Sequence, residues 1–101
     1  MKVCFKRTGG LAAISLSVTL DTVALSEADS KRLHKFIDAI SFFDQPQSFT
    51  SSMQEVDRFQ YEIMAEAEGR VKTIKMDESA VPDLFRPLLD YLIALARVKK
   101  K

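Results

Sequence analysis

The chain has 101 residues, with 15 Lys and Arg against 14 Asp and Glu, one His and one Cys. At 47% hydrophobic and 29% charged residues it reads as one ordinary folded domain over 1–101, large enough to bury roughly 65% of its unfolded surface. That excludes disordered, collagen-like and disulfide-stapled classes.

A net charge of +1 provides no strong field for nucleic acid or an anionic membrane. A lone His34 and a lone Cys4 cannot supply the three or four ligands of a typical zinc site. No Asp-rich loop with a glycine at its sharp turn suggests calcium. The expectation is therefore no cofactor and no metal.

Met1 to Ala24 imitates a signal peptide, with Lys2, Lys6 and Arg7 ahead of an apolar stretch. Yet Ser15, Ser17 and Thr19 alternate with Ile14, Leu16, Val18 and Leu20. That period of two is a strand pattern, and a cytoplasmic location is expected. Lys2–Thr8 reads as the first strand, with Val3, Phe5 and Arg7 on one face. Gly9-Gly10 makes the turn, and Ile14–Asp21 is the second strand. Its polar second face predicts a sheet covered on one side only, which favours antiparallel pairing.

Ser26 opens a helix, with Asp29 completing an approximate capping box. Leu33, Phe36, Ile37 and Ile40 form its apolar stripe. Phe42 and Phe43 continue the core, and Pro46 ends regular structure. Residues 44–57 read as a long polar loop, well beyond the usual 4–6 residues of a connection. Arg58–Glu66 is the third strand, with Phe59, Tyr61, Ile63 and Ala65 on one face. Glu68-Gly69-Arg70 is a hairpin turn, and Val71–Asp77 is the fourth strand. Pro82 suits the first turn of a second helix. Its expected stripe is Leu84, Leu88, Leu92 and Leu95, widened by Phe85, Leu89, Ile93 and Ala96. Pro87 either begins its regular part or leaves a kink.

The order β-β-α-β-β-α predicts an α+β fold: a four-stranded antiparallel sheet with two helices packed on one face.

No catalytic constellation emerges. His34 reads as a surface helical residue, and Cys4 as a packed or strand-surface one. Lys99 to Lys101, a basic tail, suits a helix C-terminus and is solvated. The many carboxylates pair nowhere for acid–base work. The candidates for binding a protein partner are the Gly9, Gly10 and Leu11 turn and, in the long loop, Phe49 and Met53. The last two are apolar side chains that either tuck under the loop or anchor in a partner pocket.

Three segments carry a family likeness. They are Arg7-Thr8-Gly9-Gly10-Leu11-Ala12-Ala13-Ile14, Asp57-Arg58-Phe59-Gln60-Tyr61, and Arg86-Pro87-Leu88-Leu89-Asp90-Tyr91-Leu92. In this order they span almost the whole chain. The chain resembles the emfourin family, small protein inhibitors of protealysin and other thermolysin-like zinc metalloproteases. The resemblance implies a non-enzymatic inhibitor that blocks the active-site cleft of its target with a loop. The alternative is an interaction module, or a homodimer on an exposed sheet edge, without inhibitory activity.

Overall fold

The computed structural model describes residues 1–9, 15–50 and 59–99. Five strands and two α-helices are present: β1 (Lys2–Gly9), β2 (Leu16–Asp21), α1 (Glu27–Ala39), β3 (Ser48–Phe49), β4 (Phe59–Ala67), β5 (Arg70–Asp77) and α2 (Arg86–Lys99). The strands form one sheet in the order β2-β1-β4-β5-β3.

The α+β class holds, but the expected four-stranded antiparallel sheet is corrected to a five-stranded mixed one. The extra strand is the two-residue β3, cut from the segment read as a loop. It runs parallel to β5, with Ser48 opposite Lys75 and Phe49 opposite Met76. The Lys75 amide also donates to the Gln47 carbonyl at 2.9 Å. Two residues are too few for a periodic pattern to show. The chain reaches this edge from α1 by crossing over, which permits parallel pairing.

One face of the sheet is apolar. Val3 and Phe5, Leu16, Val18 and Leu20, Tyr61, Ile63 and Ala65, and Ile74 and Met76 are all buried. Leu33, Ile37 and Ile40 from α1 and Leu88, Leu89, Leu92 and Ala96 from α2 complete this core. The other face is polar and open. Across it the register alternates charge, with Asp21, Lys2 and Glu66 in one row and Lys6, Glu62 and Lys75 in another. Lys75 Nζ lies 3.9 Å from Glu62, with the Lys75 side chain largely exposed and that of Glu62 about half so. Such pairs contribute little stability, and the rows cancel rather than build a field.

Local chemistry sets the ends. Ser26 caps α1, its Oγ accepting from the Asp29 amide at 3.2 Å. Beyond the helix, Ser41 takes a left-handed φ of 49°, the position where glycine ordinarily ends a helix. The Gln45 side chain donates to the Ile40 carbonyl at 2.7 Å, satisfying an orphan acceptor of the last turn. Between β4 and β5 the turn needs two positive φ values, 52° at Glu68 and 78° at Gly69. That is the signature of a two-residue primed turn.

The second helix departs from expectation at its start. Asp83–Phe85 forms a 3₁₀ turn after Pro82, and the α-helix begins at Arg86, so Pro87 sits in its first turn, where proline is tolerated. This rotates the stripe: Phe85 is buried, whereas Leu84, expected in the core, is 47% exposed. The strand bounds also shift, β2 beginning at Leu16 and β4 ending at Ala67. Ile14 and Arg58, read as strand starts, lie outside the described residues.

Two outcomes follow. Leu92→Ala, at a fully buried position, is expected to cost about 3 kcal/mol in chemical denaturation. Ser41→Gly, relieving the left-handed backbone, is expected to stabilise by about 0.5–1 kcal/mol. A destabilised Ser41→Gly protein would contradict the reading of that helix end.

Candidate functional site

The antiparallel pairing of β1 with β4 places Gly9 directly opposite Phe59. Arg7 faces Leu16 on its other side. β5 ends beside them, with Met76 opposite Tyr61 and Asp77 opposite Gln60. β3 ends there too, Phe49 facing Met76. The chain on either side of residues 10–14 and of residues 51–58 therefore meets at one end of the sheet. The two segments singled out from the sequence are rooted together.

A compact group of side chains forms those roots. The Arg7 guanidinium carbon lies 4.3 Å from the centre of the Phe59 ring, a cation–π contact. Arg7 Nε is buried with no hydrogen-bond partner among the described residues, so stacking and packing hold this part of the guanidinium. The Phe59 amide donates to Glu78 Oε1 at 3.0 Å. Tyr61 packs beside Phe59 at 6.5 Å and against Phe5 at 6.2 Å between ring centres. Burial pushes the Tyr61 phenol above its ordinary value of 10.0, and Glu78 adds to the rise, while Arg7 and Arg86 oppose it. On the open face at this end lies a depression of about 300 Å³, with Thr8, Thr50, Gln60 and Asp77 in its lining.

Each expected site residue can now be placed. Gly9 is exposed at the end of β1 with a φ of 91°, a backbone conformation that favours glycine. Phe49 is half-buried and tucks inward, its ring 5.5 Å from that of Phe85 in an edge-on arrangement. Gly10, Leu11 and Met53 lie outside the described residues. His34 is exposed on α1. The Cys4 thiol sits on the open face and accepts from the Thr19 hydroxyl at 3.6 Å. Among the described residues, no three His, Cys, Asp or Glu side chains group to hold a metal ion. No helix of the described residues is long and apolar enough to cross a membrane.

Sequence reading missed the contacts joining Arg7, Phe59 and Glu78. Arg7 and Phe59 stand 52 positions apart and meet only through the register of β1 and β4. Their one signal was that each sits in a segment carrying the family likeness.

The pKa shifts give a measurable consequence. Tyr91 is also raised, by burial first and then by Asp29. A raised phenol holds its proton more tightly in the folded state. Its contribution to stability is therefore complete below the unfolded value of about 10 and lost as pH rises through the folded value. Ultraviolet titration is expected to show both tyrosines ionising at higher pH in the native protein than in denaturant. Tyr61→Phe and Tyr91→Phe should each remove one such transition. Coincident native and denatured curves would contradict these environments.

The model of the Emfourin family matches residues 5–93. No curated protein and no solved structure matches the chain.

Proposed function

The chain belongs to the emfourin family, and on that premise we propose that it is a protein inhibitor of thermolysin-like zinc metalloproteases. It acts by occupying the active-site cleft rather than by chemistry. The observation that carries this reading, beyond membership, is the convergence of Gly9, Thr50 and Phe59 at one sheet end. Two segments rooted side by side can enter a cleft as one wedge. A scaffold already folded behind them reduces the ordering cost of binding.

The residues divide the work. Gly9, Gly10, Leu11 and Met53 meet the protease. Phe49 anchors the root of the second segment through its contact with Phe85. Arg7, Phe59 and Glu78 hold the segment roots in register. With one His and one Cys, the chain meets the protease zinc by steric blockage, a backbone carbonyl or a carboxylate. Near-neutral net charge leaves recognition to shape and a few apolar anchors.

A second reading, self-association without inhibition, is supported by β2. It is a six-residue edge strand whose open face carries short polar side chains, and such edges accept further strands. Light scattering separates the two readings, a monomer counting against the second.

The test of the first is residual activity of thermolysin-like proteases against rising concentrations of the chain. Competitive inhibition at micromolar concentration is expected. Leu11→Arg and Met53→Arg should each weaken it by about tenfold or more, the scale of a lost apolar anchor. Full protease activity at micromolar excess across a panel of these enzymes would overturn the proposal.

A further inference from the structure

A second concavity lies in the helical layer, and none of the sheet-end contacts takes part in it. It is a groove of about 530 Å³ between α1 and the start of α2, a volume typical of small-molecule sites, about 300–1,000 Å³. Phe36, Ala39 and Ile40 form one wall and Leu84, Pro87 and Leu88 the other, with Lys31, Arg32 and Lys35 on the rim and no acidic residue in the lining.

The lining is graded along its length. Lys31 and Arg32 stand at one end, Lys35 and Phe36 one turn on, and Ala39 and Ile40 a turn beyond. Nine steps at about 1.5 Å each make this roughly 13 Å of groove. The wall from α2 is apolar throughout. Leu84 is one of the few large apolar side chains among the described residues to be strongly exposed, and here its exposure has a use.

The cations are available. Lys31 pairs with Glu27 at 3.1 Å, but both side chains are more than three-quarters exposed, so the pair is weak and exchangeable. Lys35 has no ion-pair partner among the described residues. Arg32 lies 5.9 Å from the Tyr91 ring, which packs 5.2 Å from Phe36. One contact chain thus fixes a head-binding cation and a tail-binding ring together.

From this gradient we propose that the groove binds a long-chain aliphatic carboxylate. The carboxylate sits among Lys31, Arg32 and Lys35, where charge-assisted hydrogen bonds are strongest. The tail runs along Phe36, Ala39, Leu84 and Pro87, the apolar lining side chains that reach the surface. The proposal does not depend on protease inhibition.

The test is heteronuclear NMR of the intact chain titrated with dodecanoate below its micelle concentration. Saturable shifts at one equivalent, confined to Lys31–Ile40 and Leu84–Leu88, are expected. Arg32→Glu with Lys35→Glu should weaken binding by about tenfold or more, each lost charge-assisted bond contributing. Ala39→Trp should block binding by filling the groove, and dodecanol, of equal length but neutral, should bind more weakly. Thermal unfolding establishes that both variants are folded. Shifts that never saturate up to about 1 mM, a regime of negligible affinity, would overturn the proposal. So would equal binding by the double charge variant. Groove resonances that move with protein concentration alone, or with an acidic amphipathic peptide but not with dodecanoate, would assign the groove to a different occupant and also overturn it.

Discussion

The pairing of β1 with β4 is the constraint on which the rest of the molecule depends. Its register runs from Lys2 opposite Glu66 to Gly9 opposite Phe59. Because side chains alternate, this one register decides both the core and the surface. It aligns Val3 with Ala65 and Phe5 with Ile63 on the buried face. It also sets Lys6 beside Glu62 on the open face. A slip of one residue would bury the charged row and expose the core row. The same register brings Arg7 close enough to Phe59 to stack and ties the roots of two distant segments together. Fold and candidate site thus rest on one interaction.

That dependence explains what could and could not be read from the sequence. The apolar face of β2 was legible because Leu16, Val18 and Leu20 alternate with polar residues. The Ser26 cap and the stripe of α1 were legible for the same reason: they are local and periodic. β3 was not, since a two-residue strand has no period. Its stability comes from β5 and from the contact of Phe49 with Phe85. Leu84 leaves the stripe that helical spacing predicts for it because the 3₁₀ turn at Asp83–Phe85 changes the rotation per residue. The contacts among Arg7, Phe59 and Glu78 were hidden because they are long-range. The likeness picks out the segments that hold Arg7 and Phe59, but not the register that brings those two residues together.

The two faces of the layered structure differ in how their charge is arranged. The open sheet face cancels its own charge in alternating rows, which keeps it solvated without creating a strong field. The helical face is uneven instead, with cations toward one end of a groove and apolar surface toward the other. The sheet end between them gathers an aromatic cluster and a stacked arginine. A small chain with one core can carry separate surfaces in this way, because the core uses only one side of each element.

The central claim is that the sheet end rooted at Gly9, Thr50 and Phe59 occupies the protease cleft. Amide hydrogen exchange of the chain, alone and bound to a thermolysin-like protease, tests it most directly. Protection is expected to rise at Thr8 and Gly9, at Thr50 and at Phe59 to Tyr61, with the exposed faces of α1 and α2 unchanged. Protection concentrated on the helices or along β2, with the sheet end unaffected, would contradict it.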